Sequence, residues 1–121
     1  MSTPIFECYR VWHDARRLTA RIYDITKAPG FAHDFALRDQ IRRAAISVMS
    51  NIAEGYERGS DAELRRFLRI AKGSAAEVRS QLYAAEDIGY LTRELANELR
   101  SHALALGRQL AHLITNGRSQ P

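Results

Sequence analysis

The chain has 121 residues, 45% hydrophobic and 26% charged, with a formal net charge of +4 and a single cysteine. That length predicts one domain over 1–121, able to bury roughly two-thirds of the surface its unfolded form exposes. No uninterrupted apolar run approaches the ~20 residues of a membrane span, the N-terminus has no signal-peptide pattern and so points to the cytoplasm, and Cys8 has no second cysteine for an internal disulfide.

Four amphipathic segments follow in chain order. Over about 9–27, Val11, Ala15, Leu18, Ile22 and Ile25 recur at spacings of four and three and line one helix face. Cys8, Trp12, Thr19 and Tyr23 give that helix a second, partly aromatic flank. Ala28-Pro29-Gly30 then stops it, because proline cannot extend the hydrogen-bond ladder and glycine turns the chain readily.

Asp34 is suited to cap a second helix over 34–55. Its stripe is Leu37, Ile41, Ala45, Val48 and Ile52, widened by Ile46, Met49 and Ala53. After a turn at Glu57-Arg58-Gly59, Ser60 and Glu63 have the spacing of a capping box. The third helix, 61–88, carries a nearly continuous heptad stripe of Leu64, Leu68, Ala71, Ala75, Val78, Leu82 and Ala85.

Thr92 opens a fourth helix over 92–116, where Leu95, Leu99, Leu106, Leu110 and Leu113 face the core. His102 and Gln109 interrupt that face, and Ala96, Ala103 and Gly107 form a small-residue strip beside it. Short turns and the absence of strand-like alternation predict an all-α, up-down-up-down antiparallel four-helix bundle. Residues 1–5 and 116–121 read as tails.

The cations are unusual in kind: of 18, all but Lys27 and Lys72 are arginine. Arginine grips phosphate and carboxylate as a planar fork, although a high-GC genome produces the same bias. On the third helix Arg65, Arg69, Lys72 and Arg79 fall within an arc of about 80°, forming a basic ridge suited to phosphates. The same ridge also reads as a solvated flank or as salt bridges to a neighbouring helix. Arg38 and Arg42 flank the second helix's stripe, and Asp39 is placed to pair with Arg43. On the first helix Arg10, Arg17 and Arg21 share a side with Asp14 and Asp24.

Residues 40–55 read Gln-Ile-Arg-Arg-Ala-Ala-Ile-Ser-Val-Met-Ser-Asn-Ile-Ala-Glu-Gly, and residues 67–77 read Phe-Leu-Arg-Ile-Ala-Lys-Gly-Ser-Ala-Ala-Glu. Together they resemble the 23S rRNA-intervening-sequence proteins, whose usual run is close to QIRRAAxSxxSNIAEGxxR followed by FLxIAxGSxxE. The likeness covers most of residues 6–115. It implies four-helix protomers packed into rings, commonly pentamers. Through relatives that are accessory proteins of diversity-generating retroelements, it also implies RNA or DNA and a reverse transcriptase as partners.

The resemblance marks Ser50, Asn51, Glu54 and Gly55 as positions of interest without assigning them a reaction. Their structural reading is that Ser50 and Asn51 bond backbone groups at a helix end, Glu54 pairs with an arginine, and Gly55 ends the helix in the left-handed conformation.

Enzyme signals are poor. No Glu has a His three residues later, as a di-iron bundle requires, and Glu98 with His102 offers two metal ligands at most, so neither a metal nor a cofactor is expected. Arg108 and His112 are too close for the Arg-to-His spacing of helical HEPN-type ribonucleases. Cys8 reads as a small half-buried structural cysteine, and His102 as a hydrogen-bonded core or interface histidine. The sequence therefore predicts a non-enzymatic homo-oligomeric module that binds nucleic acid through its arginines. The alternative is a structural or protein-interaction module that does not.

Overall fold

The computed structural model describes residues 5–117, and every regular element among them is helical. A 3-10 turn at Phe6–Cys8 precedes α1 (Arg10–Ile25), a short α2 (Pro29–His33), α3 (Phe35–Glu57), α4 (Asp61–Ile88) and α5 (Arg93–Asn116). The four predicted helices are therefore α1, α3, α4 and α5. Of the predicted tails, 1–5 and 116–121, residues 1–4 and 118–121 lie outside the described residues, whereas Asn116 is not tail but the last residue of α5. No described helix is long and apolar enough to cross a membrane.

The helix starts follow the capping chemistry. The Asp34 carboxylate accepts from the Leu37 amide at 3.1 Å, and the Ser60 and Thr92 hydroxyls accept from Glu63 and Leu95, each at 3.2 Å. Each satisfies a donor that the first helical turn leaves unpaired. Glu63 does not complete the reciprocal box, because its carboxylate turns to Arg66 at 2.9 Å; that bond also lowers its pKa. Helix α4 ends where Gly89 takes a φ of 96°, a value that costs other residues strain, so that the Tyr90 amide can return to the Ala85 carbonyl at 2.9 Å.

The proline-glycine segment behaves differently from the expectation of a simple stop. Helix α1 has already ended at Ile25, and Pro29 opens α2, since a missing N–H costs nothing in a first helical turn. The five residues of α2 insert Phe31, fully buried, against Tyr90, and the Tyr90 hydroxyl donates to Asp34 at 2.9 Å. This clasp closes the end of the molecule where α3 begins and α4 finishes.

Helix α4 packs along both α3 and α5, and α1 packs along α3 and α5 on the far side. The predicted stripes of α1 and α4 are buried throughout, and those of α3 and α5 are buried except at Leu37 and Leu95, which are half-buried. The core also takes in Tyr9 and Tyr56, stacked at 3.8 Å. Ile46 remains 40% exposed, so the wide α3 arc is not fully covered within the chain. One expectation about the flanks fails: Cys8, expected half-buried, is exposed in the 3-10 turn. Phe6 folds back instead, packing edge-on against Trp12 at 4.9 Å, while the Arg42 guanidinium lies over Tyr23 at 4.5 Å.

Candidate functional site

A groove of about 690 Å³ runs along the seam of α4 and α5. Arg69, Lys72 and Arg79 from α4 and Arg108 from α5 line it, over a floor that includes Gly73, Ala76, Gly107 and Ala111. Among the described residues none of these four cations forms a salt bridge within the chain, and no acidic or aromatic side chain lines the groove. Uncompensated cations held together on a concave surface concentrate positive potential there and attract anions.

Two mid-helix glycines belong to this groove. A β-carbon built on Gly73 or Gly107 meets nothing within 4 Å. Neither is needed for packing or for an unusual backbone angle, and each lowers intrinsic helix stability by about 1 kcal/mol relative to alanine. Their effect is to keep the floor at backbone level.

The other arginines of the sequence reading lie elsewhere. Arg65 directs its Nε to the Ile114 carbonyl at 3.0 Å, satisfying an acceptor that the last turn of α5 leaves open. Arg42 donates to the Thr26 hydroxyl at 2.8 Å at the end of α1, and Arg38 donates to the Ala32 carbonyl at 3.0 Å. Asp39 pairs with Arg38 at 2.9 Å, rather than with Arg43 as its spacing suggested, because the adjacent side chain reaches it first. The predicted ridge thus splits into a groove set, Arg69, Lys72 and Arg79, and Arg65, which with the flanking Arg38 and Arg42 ties helices together. Arg108 was missed. Standing apart from the other α5 cations, Arg93 and Arg100, it carries no local signal, and only the pairing of α5 with α4 brings it to the ridge.

Within the Ser-Asn-x-x-Glu-Gly segment Gly55 lies against α4, and Asn51 reaches that helix only through Ser47. Asn51 donates to the Ser47 carbonyl and hydroxyl at 2.8 and 3.0 Å, and the Ser47 hydroxyl meets that of Ser74 at 2.8 Å. Ser50 is exposed, and Glu54 pairs with Arg58 at 3.1 Å. Gly55 does not end the helix: α3 continues to Glu57, and the left-handed glycine of this turn is Gly59, at φ 88°. Gly55 is buried instead. A β-carbon there would stand 3.0 Å from the Phe67 β-carbon and 3.2 Å from Leu64 Cδ1, so its role is close approach of α3 and α4.

The two polar positions that interrupt the α5 stripe meet α1. Gln109 donates to the Asp14 carboxylate at 2.8 Å, and His102 is bonded to both the Asp14 carbonyl and Arg21, each at 3.2 Å. An arginine donates only, so His102 Nδ1 accepts and Nε2–H donates to the carbonyl, which requires a neutral ring. Burial first, then the charges of Arg21 and Arg17, lower its pKa below the ordinary 6.5. Arg17 pairs with Asp14, and Arg21 reaches Glu98 on α5 at 3.6 Å, leaving this seam largely compensated. Nearer the start of α5, buried Arg100 pairs with Glu86 at 2.7 Å, with its guanidinium 4.0 Å over the Tyr83 ring. Among the described residues no group of three His, Cys, Asp or Glu side chains could hold a metal ion.

The class defined by this architecture is a small all-helical protein whose described residues include a basic groove without salt-bridge partners. Comparison with known families matches residues 7–112 to the 23S rRNA-intervening sequence protein, and the chain belongs to that family. Among solved structures, a protein of unknown function from the S23 ribosomal protein family of Bacteroides thetaiotaomicron is similar, with a TM-score of 0.80 and 25% identity over 86% of this chain and 97% of that one. Among curated proteins none matches.

Proposed function

We propose that this chain is a non-enzymatic, homo-oligomeric, cytoplasmic module that binds RNA or DNA through the α4–α5 groove. The carrying observation is the convergence of Arg69, Lys72, Arg79 and Arg108 without a compensating acid among the described residues. Each neutralised phosphate releases condensed counterions, and arginine can hold two phosphate oxygens at once.

The single-domain protomer is an up-down-up-down antiparallel bundle, a reading supported by the pairing of Ser47 with Ser74 and of Arg65 with Ile114. Its oligomer is a ring, with a pentamer as the expectation from the family resemblance. Repetition of one groove around that ring would multiply weak contacts by avidity. A reverse transcriptase as protein partner belongs to the same reading and is checked by whether a gene for one adjoins this gene.

Fluorescence anisotropy with labelled oligonucleotides tests the proposal. The wild type should bind at low salt, with affinity falling steeply as salt is added, and a combined Arg69, Lys72, Arg79 and Arg108 to Ala variant should lose most binding while staying helical and oligomeric. Equal binding by that variant would remove the groove from the account.

A second reading, a protein-interaction module, is favoured by one observation: Phe35, Ile46, Ile70, Tyr83 and Ile88 are each at least 40% exposed. A partner surface or a neighbouring protomer would cover them.

A further inference from the structure

We infer that the groove holds the sugar-phosphate backbone of a double-stranded nucleic acid in preference to a single strand; this rests on the nucleic-acid reading above. Proteins that hold single strands combine a basic channel with aromatic rings on which successive bases stack. Among the described residues no aromatic side chain lines this groove: its lining is cations, aliphatic groups, glycine, alanine and Thr115. A single strand would meet charge without a stacking platform. A duplex presents one phosphate charge per about 1.7 Å of axis and keeps its bases stacked internally, so charge alone can bind it.

The dimensions agree. Arg69 and Arg79 are ten residues apart on one helix, or about 15 Å at 1.5 Å per residue, long enough to reach more than one phosphate of the same strand. Arg108 supplies a cation from the opposite wall, so a backbone lying in the groove is gripped from both sides. Gly73 and Gly107, with open space where a β-carbon would stand, let that backbone settle against the helices.

The test compares a short mixed-sequence DNA duplex, the matching RNA duplex and their separated strands by anisotropy over a salt series. With four phosphates engaged per groove, log K against log salt should slope by about −3.6 for DNA duplex and about −2.8 for a single strand, with severalfold tighter duplex binding at low salt. Gly107→Leu should abolish most duplex binding without changing charge or helicity, since the added side chain projects into the empty groove. Equal or tighter binding of single strands, still lost in the charge-removal variant, would overturn the duplex inference and leave the nucleic-acid reading standing. Full duplex binding by folded Gly107→Leu would likewise overturn it. Failure of every probe to bind at low salt would sink both.

Discussion

Replacing glycine by alanine should have opposite signs at two kinds of site in this one protein. Inside a helix the exchange ordinarily stabilises by about 1 kcal/mol, because alanine loses less backbone freedom on folding. Gly73 and Gly107 meet the condition for that gain: they are helical and nothing lies within 4 Å of a new β-carbon. Gly55 does not. There the new methyl would meet Phe67 Cβ at 3.0 Å, Leu64 Cδ1 at 3.2 Å and the Leu64 carbonyl oxygen at 3.4 Å. Two of these three atoms are fixed by the α4 backbone, so relief requires the helices to separate. Overpacking of this kind costs about 1–3 kcal/mol, which outweighs the propensity gain and leaves Gly55→Ala destabilised by about 1 kcal/mol. Urea denaturation of the three single variants, with thermal melts beside it, should show Gly107→Ala and Gly73→Ala raised and Gly55→Ala lowered by about 3–5 °C each. If Gly55→Ala were as stabilising as Gly107→Ala, the close approach of α3 and α4 would be wrong.

Leu68→Ala should cost about 2–5 kcal/mol and Val78→Ala somewhat less, because both side chains are fully buried, whereas Arg79→Ala should cost far less; equal losses in urea would refute the α4 face assignment. Arg100→Ala should cost about 3 kcal/mol by stranding Glu86 in a partly buried setting, and denaturation of Arg100→Ala beside Glu86→Gln checks this. For His102 the folded pKa is depressed, so the unfolded chain takes up its proton first. Stability should therefore be intact above pH ~6.5 and fall as pH drops from there through the lower folded value, a loss that His102→Gln should reduce when urea midpoints are compared at about pH 7.5 and about pH 5. Light scattering should give a mass several times the 13.7 kDa chain, and a monomer at micromolar concentration would refute the ring.

The apolar stripes were legible because burial in a helix imposes a local period, and Val11 to Ile25 or Leu64 to Ala85 express it without reference to any other segment. Caps were legible for the same reason: Asp34, Ser60 and Thr92 act within three residues. What sequence reasoning lost depends on neighbours distant in the chain. Gly55 looks like a helix end until Leu64 and Phe67 are placed against it, and Arg65 looks like a phosphate ligand until the last turn of α5 arrives beside it. The candidate groove was half visible. Its α4 wall was a local pattern, but Arg108 and the glycine-alanine floor acquire meaning only when α5 lies alongside.

The central claim, that cations of the α4–α5 groove neutralise phosphates, is tested most directly by the salt dependence of single variants. Arg108→Ala removes one groove cation, and Arg38→Ala removes a cation held against α2, outside the groove. The slope of log K against log salt for a DNA duplex should fall in magnitude by about 0.9 per engaged groove for Arg108→Ala and stay unchanged for Arg38→Ala. An unchanged slope for Arg108→Ala, or an equal change for both variants, would contradict the account.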